Sequence, residues 1–199
     1  MSDADARADD APASPTAPPH RLIAGTAAVD DLDAFLASLD EVASETGAVV
    51  QAFDADLVVS AAYLREATRL AARAIGRDEA VARDPGVEIM LYAAGRRQID
   101  RAFTVGVSEG EQRAVLLVAD FGAVPGAGRS AADLDAAAAS VRGLLASPSE
   151  FADAGGFDPA FDAERVREFY DIGDREIAAT AGGLPDIVRE RVALLDVEK

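Results

Sequence analysis

The chain has 199 residues, of which 36 are acidic and 19 basic, so its formal net charge is -17. This length suits one domain, and although 45 residues are alanine, the other apolar side chains suffice for a core, which excludes a wholly disordered chain. The absence of cysteine excludes disulfides, thiolate metal sites and a cysteine nucleophile, and the single histidine, His20, excludes a histidine-based triad or a multi-histidine metal site.

The charged residues are unevenly distributed among the four residue types. Aspartate (23) outnumbers glutamate (13), and Lys199 is the only lysine. This composition is typical of adaptation to a salt-rich cytoplasm, because such self-repulsion would destabilise the compact state in dilute salt. The alternative is an acidic tail or a mimic of nucleic acid. Molar salt screens charge to within about 3 Å, so the net charge says little about partners.

Residues 1–20 are rich in Asp, Pro and Ala and predict a disordered N-terminal arm, followed by a single domain over 21–197. The arm lacks the basic start and apolar stretch of a signal peptide. No apolar run approaches the roughly 20 residues that span a bilayer. We therefore expect a soluble, cytoplasmic protein without a membrane partner.

In chain order, the first elements are strands and capped helices. Asp30 or Asp31 caps a helix that runs to about Thr46, and Ser60 caps another over 61–76. Strands are expected at 21–27, 48–53 and 57–59.

Asp84 and Pro85 then predict a helix start, because a capping carboxylate precedes proline at the first helical position. The apolar run 86–94 should lie deep in the fold, Gly95 interrupts it, and a second helical pattern covers 97–105.

The rest of the chain adds one strong strand and several helices. The expected elements are a strand at 113–121, a turn at 122–129, an Ala-rich helix from Ser130 to about 146, a loop at 147–160, and helices near 162–170, 173–180 and 185–195. Strands and helices do not alternate regularly. This order favours an α+β fold: one compact domain with helices packed on one face of a small mixed sheet.

Motifs for common chemistry are missing from the sequence. There is no phosphate-binding GxxxxGK[ST], no GxGxxG after a strand and no HExxH, and a catalytic serine would lack a histidine partner. Adjacent carboxylates such as Asp30 and Asp31 are interpreted as solvated charge. We therefore expect a binding or scaffold protein rather than an enzyme, with no catalytic residue, metal, cofactor or small-molecule substrate.

Residues 61–101 are the one basic region, with eight basic and six acidic side chains. Arginines recur every four residues from Arg65 to Arg77 and wind over a sector of about 120° away from the core face. The alternative is a solvated stripe that pairs with nearby acids. Likewise, Glu88 in the apolar run is interpreted as a buried partner for an arginine rather than a catalyst.

The break at Gly95 is the most suggestive local feature. If Gly95 separates two helices, free N–H groups open the second, and the Arg and Gln side chains there can hold a phosphate or a polar base edge. Tyr63 can offer a flat face to a nucleobase, although it is equally consistent with an aromatic at the edge of the core.

The stretch 88–103, EIMLYAAGRRQIDRAF, followed by VGV at 105–107, resembles the signature of the TPRKB-type subunit of the KEOPS complex. That signature is roughly E-(apolar)-L-(apolar)-Y-x-(small)-(small)-x-RQI-x-x-A and then G-(apolar). Further similarities lie in 22–25, in 169–176 and in 188–195, so the resemblance covers about 21–197. Where many relatives have a His-Leu pair, this chain has Tyr63-Leu64.

The resemblance implies a compact α+β subunit without catalytic activity. The complex makes threonylcarbamoyladenosine beside the anticodon of ANN-decoding tRNAs. The subunit is expected to bind the N-lobe of the small atypical kinase and to capture the 3′ CCA end of tRNA, with the threonylcarbamoyl transferase subunit as an indirect partner. The acidic composition suggests a halophilic, archaeon-like lineage.

Two sets of site residues follow from the pattern and the resemblance. The kinase-facing set is placed on the C-terminal helix with Phe103 nearby, and the alternative is that its apolar members complete the core. It comprises Phe103, Ile187, Arg191 and Leu194. The RNA-binding set comprises Tyr63, Arg69, Arg73, Arg83, Arg96, Arg97, Gln98 and Arg101.

Two other functions stay open. The first is a protein-interaction module that regulates a kinase without binding RNA, and the second is an unrecognised small enzyme acting on a soluble metabolite. The missing His, Cys and internal Lys side chains argue against the enzyme.

Overall fold

A computed structural model describes residues 16–151 and 161–195, and this part of the chain confirms the α+β class. It contains four strands, eight helices and two short 3₁₀ turns. The strands are β1 (His20–Val29), β2 (Val49–Asp54), β3 (Gly110–Ala119) and β4 (Ala146–Glu150). The helices are α1 (Leu32–Thr46), α2 (Ala61–Gly76), α3 (Pro85–Ala94), α4 (Ile99–Ala102), α5 (Leu134–Arg142), α6 (Ala163–Tyr170), α7 (Asp174–Ala179) and α8 (Leu184–Leu194).

The strands form one sheet in the order β2-β3-β1-β4. All three pairings are antiparallel, with Leu22 opposite Leu117 and Val50 opposite Val118. The sheet is therefore antiparallel rather than mixed. None of the described helices is both long and apolar enough to cross a membrane.

The two faces of β3 supply two separate cores. Val115 and Leu117 face the core that α2, α3 and α8 cover, whereas Leu116 and Val118 face the core that α1 and α5 cover. The prediction that helices pack on one face is wrong, because Ala114–Ala119 is apolar on both faces and each face must be shielded from water.

Most predicted helix ends are confirmed by their capping contacts. The Asp31 carboxylate accepts from the Ala34 N–H at 2.8 Å, the Ser60 hydroxyl from Tyr63 N–H at 3.1 Å, and the Asp84 carboxylate from Val87 N–H at 3.0 Å. The Ala-rich helix α5 begins at Leu134, later than predicted from Ser130. Its cap is Asp133, whose carboxylate accepts from Ala136 N–H at 2.9 Å.

Two predictions about strands are wrong. Residues 57–59 do not form a strand, because a 3₁₀ turn at Ala55–Leu57 redirects the chain after β2. Conversely, β4 lies in the predicted loop, since the sequence ASPSE has no apolar alternation and its strand geometry comes from pairing with β1.

Two of the predicted segments extend beyond the residues that the structure describes. Residues 1–15 of the predicted arm and 152–160 of the predicted loop lie outside the described residues. Within the described part, Pro18 is buried and β1 begins at His20, one residue before the predicted strand.

Gly122 follows β3 at a point where the backbone of the next loop approaches closely. A Cβ placed there would lie 2.5 Å from Ala131 N and 2.6 Å from Ala131 Cα. We expect Gly122→Ala to lower the free energy of unfolding by about 1–3 kcal/mol, because backbone cannot yield as a flexible side chain can. Denaturant unfolding in molar KCl measures this change.

The matched control is Gly76→Ala at the end of α2, where the nearest atom to an added Cβ is Pro125 O at 3.8 Å. This control should leave stability unchanged or slightly raised, since alanine favours helix. Equal stability of the two variants would contradict the packing argument.

Candidate functional site

The α2–α3 hairpin separates the predicted RNA-binding residues into two groups. Tyr63, near the start of α2, donates its hydroxyl to the Ala93 carbonyl near the end of α3 at 2.7 Å. The helices are therefore antiparallel neighbours, and α3 is about 15 Å long at 1.5 Å per residue. Arg73 and Arg83 lie toward the far end of the hairpin from the Gly95 break, whereas Arg96, Arg97, Gln98 and Arg101 follow that break.

Tyr63 is part of the core. Its side chain is fully buried, and its hydroxyl lies 2.8 Å from the Tyr170 hydroxyl, which also donates to the Ala93 carbonyl at 2.7 Å. Burial raises the pKa of both tyrosines above the ordinary value, so both stay protonated as donors. The prediction that Tyr63 offers a ring face to a nucleobase is wrong for this structure, and the core alternative is confirmed.

Gly95 ends α3 and sets the helix junction, the segment 95–98 between α3 and α4. Its φ of 60° lies in the left-handed region that glycine tolerates best. The Gly95 N–H donates to Tyr92 O at 2.9 Å and the Arg96 N–H to Leu91 O at 3.1 Å, so these two carbonyls in the last turn of α3 are satisfied. A Cβ on Gly95 would lie 3.7 Å from Arg191 O, which shows how closely the junction approaches α8.

Two arginines fasten this junction to the C-terminal helices. Arg96 donates to the Phe169 carbonyl, and its guanidinium lies 5.2 Å from the centre of the Phe169 ring. Arg97 donates to the Leu195 carbonyl at 3.0 Å, just after the last residue of α8. Both side chains are half-buried. A guanidinium has five N–H donors, so each can hold a carbonyl and still present donors to a ligand.

Gln98 at the end of the junction is exposed, and so are Asp100 and Arg101 in α4. Gln98 stands at the start of α4, and its side chain makes no capping hydrogen bond within the described structure. The α4 helix has only four residues before a 3₁₀ turn at Phe103–Val105 takes over. The separation of two helices at Gly95 is confirmed, but the second is much shorter than the predicted 97–105.

Two of the other singled-out residues, Arg69 and Glu88, have local partners. Arg69 pairs with Glu66 at 2.7 Å, which is what the stripe alternative predicted for at least this arginine. Glu88 is buried, and its carboxylate accepts from the N–H groups of Val81 and Ala82 at 3.0 and 2.8 Å. This contact supports a structural role for Glu88 in holding the loop before α3. Arg83 is exposed in the same loop.

Of the predicted kinase-facing residues, Ile187, Arg191 and Leu194 border one pocket on α8, whereas Phe103 borders a different groove. On α8, Leu194 is 46% exposed, Arg191 donates to both carboxylate oxygens of Glu176 at 3.0 Å, and Ile187 is only 2% exposed. Ile187 therefore belongs to the core, as the alternative predicted. Phe103 borders a groove beside α1 and not the pocket on α8.

The structure contains a cluster of ion pairs that the sequence did not predict. Arg165 on α6 bonds Asp54 at 2.6 Å and Asp56 at 3.0 Å, and Arg113 on β3 also bonds Asp56. Burial acts to lower the pKa of Arg165, but its bonds and charge interactions with both aspartates outweigh burial and raise it. The cluster ties α6 to the end of β2. Such pairs are hard to predict from a sequence with this many aspartates, because most of its carboxylates are solvated.

The tyrosine pair predicts a pH dependence. Their folded-state pKa values lie above the unfolded value of about 10, so as pH rises through 10 the unfolded chain loses these protons first and the free energy of unfolding falls. We expect the double variant Tyr63→Phe, Tyr170→Phe to show a smaller fall between pH 9 and 11.

At pH 7 the double variant should be less stable by about 1–3 kcal/mol, since the buried Ala93 carbonyl loses its donors. Denaturant unfolding across this pH range measures both effects. An unchanged pH slope in the variant would show that other groups control alkaline stability.

Comparison with known proteins identifies the family. A search of curated proteins finds no match. The family model described as kinase binding protein CGI-121 matches residues 32–196, a span that includes the junction and all of α8. The match supports the resemblance to the TPRKB-type subunit, and we conclude that this chain belongs to the CGI-121 family of kinase binding proteins.

Proposed function

We propose that this protein is a non-catalytic, cytoplasmic subunit of the KEOPS complex that docks the small atypical kinase and recruits tRNA through its 3′ CCA end. In this proposal it serves threonylcarbamoyladenosine synthesis and meets the transferase subunit only indirectly. Kinase binding follows from the family to which the chain belongs. The RNA role extends the resemblance of 88–107 to the corresponding subunit.

The observation that carries the proposal is the attachment of the helix junction to α8. Arg97 bonds the Leu195 carbonyl at 3.0 Å, and Gly95 lies against Arg191. Exposed Gln98 and Arg101 therefore lie one short segment away from the helix that carries exposed Leu194. In this proposal, these contacts keep the polar side chains that would bind RNA close to the apolar side chain that would contact the kinase.

The chemistry of the junction suits an unpaired RNA end. Single-stranded ends are bound by hydrogen bonds to base edges and phosphates together with stacking, rather than by a broad basic field. In molar salt the counterion-release contribution to affinity is small, so a few well-placed donors matter more than total charge. We assign phosphate or base contacts to Gln98 and Arg101, with Arg96 and Arg97 as half-buried supports.

Comparison of a tRNA with the same tRNA lacking its terminal CCA tests this role. In molar KCl we expect trimming to weaken binding at least about tenfold, a loss of about 1.4 kcal/mol, because the tail contacts disappear. Fluorescence anisotropy measures both affinities. Equal affinities would show that the protein contacts only the duplex backbone, and absence of binding to either would favour the interaction-module alternative.

The same assay locates the site. Arg101→Glu should weaken binding of intact tRNA about tenfold and leave binding of the trimmed tRNA unchanged, since the side chain is exposed and its loss spares the core. The control Arg142→Glu makes the same charge change on α5, across the sheet. If both variants weaken tRNA binding equally, the change in net charge alone explains the effect and Arg101 is not part of the site.

Kinase docking is tested on α8. Leu194 is 46% exposed, and Leu194→Glu should weaken binding of the atypical kinase from the same organism at least about tenfold, because a carboxylate replaces an apolar contact. The control is Val81→Glu, which alters an equally exposed side chain (47%) in the loop before α3. Isothermal titration calorimetry measures both, and an effect from Val81→Glu alone would move the kinase surface to that loop.

The interaction-module alternative has its own supporting observation. Tyr63 is buried, and Arg96 and Arg97 already hold backbone carbonyls. In that alternative these residues serve only the fold. This alternative predicts that the protein binds the kinase and that Leu194→Glu abolishes that binding. It also predicts that the protein has no measurable affinity for tRNA.

A further inference from the structure

The two edges of the sheet differ in how they are protected. Edge strand β4 has the sequence ASPSE, in which Pro148 offers no N–H and Glu150 is held by Arg142 at 2.9 Å. Proline and charged side chains discourage pairing with another chain. Edge strand β2 reads VVQAFD and has no proline, and its one charged residue is Asp54 at its end, which pairs with Arg165. Within the described residues, its outer side is paired only by the isolated bridge between Phe53 and Gly106.

A groove of about 310 Å³ runs beside the open part of β2. Val50, Gln51 and Ala52 of the strand lie along it. Leu36 of α1 and Phe103, at the start of the 3₁₀ turn, border it and are 41% and 50% exposed. Of the five large apolar side chains that are exposed among the described residues, these two border the same groove and give it an apolar rim.

The walls of the groove stand on opposite faces of the sheet. Leu32 and Leu39 of α1 belong to the core on one face, and Met90 of α3 belongs to the core on the other. Successive side chains of an added strand point to opposite faces. One set would therefore meet α1 and the alternate set would meet Met90 and Phe103.

Molar salt screens charge beyond about 3 Å, so at this groove only a direct contact with its carboxylate distinguishes among occupants. Asp40 is the one ionisable residue among the described residues that line the groove. Asp33 is exposed on the same helix. A carboxylate at an apolar groove favours a peptide with lysine or arginine and disfavours the phosphates of RNA. The chain's own residues 1–15 hold four aspartates and one arginine, so they are disfavoured for the same reason.

We propose that this groove, defined by Leu36, Asp40, Val50–Ala52, Met90 and Phe103, docks an extended segment of a protein partner that adds to β2 as a fifth strand. The segment alternates apolar side chains and carries a basic residue that meets Asp40. Backbone hydrogen bonds to β2 supply affinity, and the apolar walls supply specificity. This site is separate from the kinase contact on α8 and from the helix junction, so it stands or falls independently of the function proposed above.

A synthetic peptide that alternates valine or leucine with lysine is the probe. We expect it to bind the full chain and to slow amide hydrogen exchange at Val50–Ala52, as main-chain pairing requires. A peptide of the same sequence with alternate backbone nitrogens methylated should bind at least about tenfold more weakly, because it keeps the side chains but loses donors. Anisotropy and exchange measurements in molar KCl give both readouts.

Variants at exposed positions then locate the contact without disturbing the core. Leu36→Ser and Phe103→Ser should each weaken peptide binding about tenfold, whereas Leu194→Ser, at a similarly exposed leucine on α8, should leave it unchanged. Asp40→Lys should weaken binding of the lysine peptide and strengthen binding of a matched glutamate peptide.

Several results would overturn the proposal. They are equal binding of the methylated peptide, an equal loss with Leu194→Ser, and absence of binding up to about 1 mM peptide. Protection of Val50–Ala52 by a single-stranded oligoribonucleotide in place of the peptide would assign the groove to RNA. Concentration-dependent protection of the same amides without peptide would assign it to a second copy of the chain.

Discussion

The architecture depends on one strand that is apolar on both faces. Residues Ala114–Ala119 of β3 are wholly buried, so helices must cover the sheet on two sides. The α1 and α5 helices cover one side, and the α2–α3 hairpin with α8 covers the other. Because α3 is fixed on the sheet in this way, the position of its C-terminal end, and with it the whole helix junction, is fixed as well.

The shared carbonyl of Ala93 connects that core to the surface. Tyr63 and Tyr170 both reach it, so α2, α3 and α6 meet at one buried polar point. Just beyond it, Arg96 and Arg97 bond carbonyls of α6 and of the end of α8. From the sequence, these two arginines are expected to donate hydrogen bonds to a bound anion. In the structure they also hold the C-terminal helices in place. In this protein these contacts fix the position of α8 relative to the exposed polar end of the junction.

Much of the fold was predictable from local signals. Asp31, Ser60 and Asp84 begin helices where capping chemistry places them, and Gly47 and Gly95 end helices in the left-handed region. The apolar run within β3 predicted a buried strand. By contrast, β4 and the turn at Ala55–Leu57 were not predictable, since ASPSE becomes a strand only through β1 and the turn after β2 depends on the surrounding packing. The sequence also predicted the helix break at Gly95 that precedes Arg96, Arg97, Gln98 and Arg101, but not the separate grooves that Phe103 and Leu194 border.

Local chemistry along the chain was enough to establish the α+β class, most helix boundaries, the break at Gly95 and the family signature over 88–107, because each depends on residues within a few positions of one another. Long-range contacts were needed to establish the second covered face of the sheet, the burial of Tyr63 and Ile187, and the partners of Arg96 and Arg97. The physical reason is that burial and hydrogen-bond partners are set by residues distant in sequence: Tyr63 meets Tyr170, and Arg97 meets Leu195, only after the helices have packed on β3.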